Sequence, residues 1–243
     1  MKFSIIVPVY NEKATAPVLL DKVLGVALPA GLEKEVIIVE GNSSDGTKDV
    51  VKSYEGKPGV AVVYEDAPRG KGAAVRAGLA KASGDFVLIQ DGDLEYDVND
   101  YGALLQPLLD GSADIVFGSR VMTSPQHWQF RKFTGFERFY GFFVNLGGVL
   151  FTGLFNFLYG TKLSDGATMF KLFRMEQLRK ISLKSNGFDY DWEISGKLAK
   201  MGARFAERPV YYKARSRAEG KKIRFWRDGT RVLLAIVRYR LVD

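Results

Sequence analysis

Cysteine is absent from the 243-residue chain, and histidine occurs once, at His127. The first absence excludes a disulfide framework, thiolate metal ligands and a cysteine nucleophile, and leaves nothing that requires an oxidising compartment. The second removes most histidine-based acid–base chemistry; His127 lies in the polar run SPQHWQ, which predicts an ordinary loop residue. There is no Gly-x-Gly-x-x-Gly after the first apolar run and no Gly-Lys-Ser/Thr, so neither a dinucleotide fingerprint nor a P-loop is indicated. No internal repeat or low-complexity tract is present. The amino-terminal apolar run, Phe3 to Val9, is only seven residues, is broken by Pro8 and is followed by no small-residue cleavage site. It reads as a first strand rather than a signal peptide.

What is present describes a folded chain: 47% of residues are apolar and 26% charged, enough to build a substantial core. The net charge of +7 is unevenly spread. Between Lys197 and Arg240 there are 14 Lys or Arg against Glu207, Glu219 and Asp228, a local excess of +11, so the remainder carries −4. A basic carboxyl-terminal fifth suits an anionic partner: a phosphate group, an acidic membrane face or nucleic acid. No recognisable nucleic-acid module accompanies it.

Short β-rich runs alternate with helical patterns. FSIIVPV precedes a helix over Thr15–Ala27, EVIIVE one over Gly46–Tyr54, VAVVY one over Gly72–Ala82 and DFVLIQ one over Val98–Leu109; ADIVFG closes the series. Five strands with intervening helices predict an α/β fold with a mostly parallel, doubly wound sheet, whose ligands sit beyond the carboxyl ends of the strands. Pro8, Tyr10, Asn11 and Glu12 follow the first strand, Glu40, Asn42 and Asp45 the second, and Asp91, Asp93 and Glu95 the fourth. They are expected in one crevice. Asp45 itself reads best as a cap on the helix beginning at Gly46. The RGKG at 69–72 opens a helix and is compatible with either a backbone phosphate cradle or a plain turn.

The second half differs. Phe139–Tyr159 is 21 residues without a charge, long enough to span a bilayer. A single crossing would place everything after Gly160 on the far side from Asp91, so shared site residues would exclude it. The segment is then expected in the membrane interface or as a broken pair of helices with one apolar face outward. From Arg224, the pattern puts Phe225, Val232, Leu233, Ile236 and Val237 on one stripe beside Arg227, Arg231, Arg238 and Arg240. That suits an anionic membrane surface or packing on the core.

GDFVLIQDGDLEYD ends a buried run in three acids spaced two apart. Carboxylates so placed repel unless something positive lies between them. The ordered set IVPVYNE, VEGNSSDGT, RGKGAAVRAG, QDGDLE and FGSR, continuing through LSDGATMFKLFR and PVYYKARSRAEGKKI, resembles the family 2 glycosyltransferases of GT-A fold. Within them it is most similar to the dolichol-phosphate mannose synthases and related polyprenyl-phosphate glycosyltransferases. The likeness runs from Lys2 to about Arg231.

The resemblance implies one catalytic domain over 1–243, with a nucleotide-sugar half (1–120) and an acceptor half (121–243) carrying interfacial helices. It implies Mg2+ or Mn2+ on Asp91 and Asp93, bridging a donor diphosphate, with Glu95 in the place of a third ligand. Oxygen donors of this kind suit such hard cations. Pro8, Tyr10, Glu12, Glu40 and Lys71 are implied on the nucleotide-sugar side, and Arg215 and Lys221 on a loop over the diphosphate. This chain departs from the family in having Glu40–Gly41 where two aspartates are common, which leaves GDP- and UDP-linked donors both open.

Arg120 and Arg131 match arginines near an acceptor phosphate, and Asp93, Arg120 and Asp165 are the implied catalytic set. The reaction implied is inverting hexose transfer to a polyprenyl or dolichyl phosphate by a peripheral enzyme at the cytoplasmic membrane face. A lipid phosphate needs no base. A glycan hydroxyl does, and Asp165, with Asp191 and Glu193 behind it, is the acid suited to that alternative. A non-catalytic nucleotide-binding or membrane-docking module is the alternative of another class. Oligomeric state is not legible.

Overall fold

The eight residues Lys2–Val9 form β1 and are paired on both sides, which is why their pattern is apolar almost throughout instead of alternating. In this computed structural model, which describes residues 1–124, 129, 137–215 and 225–242 (backbone only for 137–140 and 225–227), β1 lies between β2 (Glu33–Glu40) and β4 (Phe86–Ile89). Both pairings are parallel, and β3 (Val60–Tyr64) extends the sheet parallel to β2. Helices α1 (Ala16–Gly25), α2 (Thr47–Lys52), α3 (Lys71–Lys81) and α4 (Tyr101–Leu109) follow the first four strands, as the sequence periodicity predicts, and β5 (Ile115–Ser119) completes the expected set.

Two strands were not expected. β6 (Lys171–Arg174) inserts antiparallel between β4 and β5, and β7 (Phe205–Pro209) pairs parallel with β5, giving the order β3-β2-β1-β4-β6-β5-β7. KLFR is too short for periodicity to register, and FAERP carries two charges and a proline. Their consequence is spatial: a strand from the second half sits in the middle of the sheet, so the chain around residue 165 is brought to the end of β5.

The remaining helices are α5 (Glu137–Tyr159), α6 (Met175–Leu178), α7 (Tyr190–Lys200) and α8 (Phe225–Leu241). One face of the sheet packs on α1 and α4 through Phe3, Ile5, Leu19, Leu104 and Tyr101. The other packs on α3, α7, α5 and α8 through Ile6, Val75, Phe155, Ile194 and Ile236. Helix α3 lies very close to the sheet because a Cβ at Gly78 would strike the Ile6 side chain. A Cβ at Gly70 or Gly72 would likewise run into the 185–187 backbone, and the Gly72 amide donates to the Asn186 carbonyl at 2.8 Å. The RGKG glycines therefore serve this packing, and at least one of the amides proposed for a phosphate cradle is already used.

Helix α5 is one continuous helix instead of a broken pair. Gly141, Asn145, Gly148, Thr152 and Phe155 form its buried stripe at helical spacing. Phe142, Phe143, Val149, Leu150 and Phe157 face outward, the last 83% exposed. Its Gly141–Tyr159 stretch, of mean hydropathy 1.6, is long and apolar enough to cross a membrane. Arg120 precedes α5 and Asp165 follows it, yet the two form an ion pair, so the helix does not carry the chain across a bilayer. In α8 the expected stripe is divided: Ile236 is buried with Ala235 and Tyr239, while Leu233, Leu234 and Val237 are exposed. Core packing and an outward apolar face coexist on this helix.

Glu35 fastens the opposite edge of the sheet, accepting from the Ser4 hydroxyl (2.5 Å), the Ser83 amide (2.9 Å) and the Ser83 hydroxyl (2.7 Å). Burial alone would push its pKa up; the Ser4 and Ser83 hydrogen bonds and the Lys2 charge outweigh that and hold it below the ordinary value of 4.5. The stabilisation is therefore present above pH 4.5 and lost as pH falls through the lowered pKa. Glu35→Gln is expected to cost about 1–2 kcal/mol at pH 7 by urea unfolding, with the difference shrinking toward pH 3.

Candidate functional site

Because β1, β2 and β4 run parallel, their carboxyl ends reach the same edge of the sheet. Gly92 brings the Asp91–Asp93 turn against β1: a Cβ there would stand 3.0 Å from the Pro8 carbonyl and from Val9 Cγ1. The Thr15 hydroxyl lies 2.5 Å from Glu12 Oε2 and 3.2 Å from the Gly92 carbonyl, tying the first strand end to the fourth. The carboxylates of Glu12, Asp93 and Glu95 are gathered around Arg215, and that of Asp91 meets Lys71.

Lys71, the first residue of α3, forms an ion pair with Asp91. The Arg215 guanidinium reaches Glu12 Oε2 at 3.1 Å with Nη1 and Asp93 Oδ2 at 2.6 Å with Nη2. Glu95 accepts from the Arg215 main-chain N–H and from the Tyr212 hydroxyl, both at 2.8 Å. Burial first, then the charges of Asp91 and Glu95, push the Asp93 pKa up to about 7 against the opposing pull of Arg215. The donor set consists of carboxylate oxygens, a chemistry that suits a hard dication. The three-carboxylate arrangement expected of Asp91, Asp93 and Glu95 is not assembled, however: among the described residues no three acids are placed to hold one ion. The physical reason is that both Glu95 oxygens are turned to the 212–215 segment.

At the end of β2, Glu40 is fully buried and accepts from the Asn42 and Ser43 amides at 3.1 and 2.8 Å. Its carboxylate shapes the loop from within. Asn11 and Asn42 take left-handed backbone conformations (φ 48° and 58°), and Asn11 crosses between the two loops by accepting from the Ser44 amide at 2.9 Å. Tyr10, 39% exposed, and the half-buried Pro8 and Glu12 flank this edge. Asp45 accepts from the Thr47 amide at 2.9 Å just ahead of α2, whose N-cap position is taken by Gly46.

On the acceptor side, Arg120 and Asp165 form a buried bidentate pair: Nε to Oδ2 at 2.7 Å and Nη2 to Oδ1 at 2.8 Å, with the Arg120 amide donating to Oδ2 at 3.0 Å. Burial opposes the Arg120 charge, but Asp165 outweighs it and raises the pKa above the ordinary arginine value. Three hydrogen bonds from Arg120 therefore engage the Asp165 carboxylate. Asp191 pairs with Lys171 in the core, and Glu193 accepts from the Lys184 and Ser185 amides at 2.9 and 2.8 Å and from Lys197 at 2.9 Å. Burial pushes Lys171 down and Asp191 up, toward neutrality, and their mutual attraction opposes this.

Sequence reading missed Lys171, whose ammonium also donates to the Gly166 carbonyl at 3.1 Å, and Glu207, which accepts from the Ser164 and Asp165 amides at 2.7 and 3.0 Å. It also missed Tyr212, whose ring lies 5.1 Å from the Arg120 guanidinium. Lys171 stands within the MFK of a motif already singled out, but only the β6 insertion reveals that it turns inward. Arg131, Lys221 and His127 lie outside the described residues.

The sequence profile named glycosyl transferase family 2 matches residues 4–182. The chain is 27% identical over 225 residues to a dolichol-phosphate mannosyltransferase of Pyrococcus furiosus, covering 91% of this chain and 59% of that protein. It is 29% identical over 221 residues to a dolichyl-phosphate beta-glucosyltransferase of Trichomonas vaginalis, covering 85% and 64%. The chain thus spans less than two thirds of these two relatives. Among solved structures, glucosyl-3-phosphoglycerate synthase from Mycobacterium tuberculosis, in complex with Mn2+, UDP and phosphoglyceric acid, superposes with a TM-score of 0.69 at 18% identity, covering 100% of this chain and 79% of that one. A mannosyltransferase from Pyrobaculum calidifontis, in complex with GDP-Man and Mn2+, gives 0.67 at 22% identity, covering 99% and 64%. These likenesses establish a GT-A fold. With that fold, and with a profile match over most of its length, the chain belongs to glycosyl transferase family 2.

Proposed function

We propose that the chain is a metal-dependent, inverting glycosyltransferase that moves a hexose from a GDP- or UDP-linked nucleotide sugar to a polyprenyl or dolichyl phosphate. The observation that carries the acceptor is the state of the acceptor-side acids. Asp165, Asp191 and Glu193 are each buried and each committed to a cation, so none is poised to deprotonate a hydroxyl. A lipid phosphate needs no such group, because its second ionisation lies at roughly pH 6. The names of the Pyrococcus and Trichomonas relatives support the same acceptor.

In this reading Asp91 and Asp93 hold Mg2+ or Mn2+, which when bound neutralises the diphosphate leaving group. Pro8, Tyr10 and Glu12 border the nucleoside side and Lys71 the phosphates. Asp165 fixes the Arg120 guanidinium in orientation and charge at the end of β5, where it favours an anionic acceptor. A phosphate oxygen attacks the anomeric carbon as the bond from that carbon to the nucleoside diphosphate breaks, inverting the configuration. The exposed faces of α5 and α8, including Leu150, Phe157, Leu234 and Leu241, with Arg238 and Arg240 beside them, would rest peripherally on the cytoplasmic face of a membrane.

Incubation with Mn2+, a set of GDP- and UDP-sugars and a short-chain polyprenyl phosphate is expected to yield a glycosyl phosphate; transfer to glycan hydroxyls alone overturns the reading. Asp165→Asn is expected to lower stability by about 3 kcal/mol, because it strands a buried charge, and to raise KM for the phosphate acceptor more than it lowers kcat.

With the Asp93 pKa raised from 3.8 to about 7, the unfolded chain loses this proton at lower pH than the folded one, so the metal-free fold loses stability as pH rises across that interval. In EDTA, Asp93→Asn is accordingly expected to raise Tm by an amount that grows from pH 4 to pH 7 and then levels. With Mn2+ and nucleoside diphosphate the order reverses, because the ligand-induced rise is lost. Replacing Leu150 and Phe157 by Glu together is expected to abolish sedimentation with anionic vesicles while leaving the melting temperature of the protein in buffer nearly unchanged.

A further inference from the structure

Arg215 is held unusually for a loop arginine. Its side chain is only 16% exposed, and it faces three carboxylates that are themselves about nine-tenths buried. Two come from different strand ends, Glu12 after β1 and Asp93 after β4; the third, Glu95, receives the Arg215 main-chain N–H. Lys213 and Tyr212 pin the same segment, the first donating its amide to the Glu95 carbonyl at 2.8 Å and the second its hydroxyl to Glu95 Oε2.

The fit is nevertheless incomplete. Arg215 Nε is buried without a hydrogen-bond partner, and Glu95 Oε1 stands 3.9 Å from it. A buried donor left unmade costs free energy and calls for an explanation. Among the described residues, Arg215 and Lys71 also draw together the acids Glu12, Asp91, Asp93 and Glu95, which come from two strand ends.

We propose that Arg215 is the internal counter-ion of the metal-free acid cluster, and that a dication and this guanidinium exchange places there. The inference rests on the metal-dependent reading above and extends it to a named competitor. A guanidinium fork spans several carboxylates in a way a point charge does not, so it prevents the acids from repelling one another apart. It also withholds Asp93 from an ion. Binding of the dication releases Arg215 from Asp93 and so couples occupancy of the acid cluster to the position of the Tyr212–Arg215 segment, which the Arg120 side chain contacts through Tyr212.

Calorimetric titration of the nucleotide-free protein with Mn2+ alone tests this. Arg215→Met is expected to bind Mn2+ about fivefold or more tighter than the wild type, within the usual range of site-to-site coupling, with Arg215→Lys between them. Equal or weaker binding by Arg215→Met, when the wild type binds Mn2+, overturns the exchange and leaves the metal-dependent reading intact. If neither protein binds Mn2+, both ideas fall. Should Arg215→Met not fold, the wild type supplies its own test: the Arg215 Nε–Hε resonance is expected to shift during titration with Mg2+, with the midpoint found by calorimetry. A resonance unmoved at saturation overturns the proposal.

Discussion

The arrangement depends on the repulsion among four carboxylates at one edge of a parallel sheet. Parallel pairing delivers the ends of β1 and β4 to the same place, and each end carries acids. Left alone they would raise one another's pKa values or push the loops apart. Lys71 and Arg215 moderate that repulsion, and they come from distant parts of the chain: the first turn of α3 and the segment after β7. The close seating of α3, enforced at Gly72 and Gly78, is therefore an electrostatic matter as much as a packing one, because it sets where the Lys71 ammonium lies.

A second layer of ion pairs lies behind the first. Arg120 with Asp165 and Lys171 with Asp191 are buried in the region where β5, β6 and α7 meet. Pairs so deeply buried add little net stability compared with apolar side chains, yet each is costly to break singly. In the proposed reaction they would hold fixed charge close to a phosphate-bearing substrate. Glu207 on β7 reinforces this by holding the amides of Ser164 and Asp165, so the turn that carries Asp165 is fixed from two strands.

The five amino-terminal strands were legible because each is a continuous apolar run bounded by polar residues, and the strand-end acids were legible because sheet topology dictates where they go. The second half was less so. β6 is four residues long and β7 mostly charged or small, and their pairing is a tertiary outcome that no local pattern encodes. Hence Lys171, Glu207 and Tyr212 are not legible locally, and neither is the contact that Asp165 makes. Its role follows from an arginine 45 residues away. Glu40 is a related case: a carboxylate at a strand end points to ligand, back to its own loop amides, or to both, and the sequence alone does not distinguish these.

The insertion of β6 also bears on how the chain is made. Until Lys171–Arg174 emerges, β4 has one open edge, Phe86–Ile89, in which every side chain is apolar, and an unpaired apolar edge invites pairing with other chains. During synthesis that edge waits through the whole of α5 before its partner exists. The nascent chain thus exposes this edge until β6 has emerged, and a chaperone that shields the growing sheet would act over this interval.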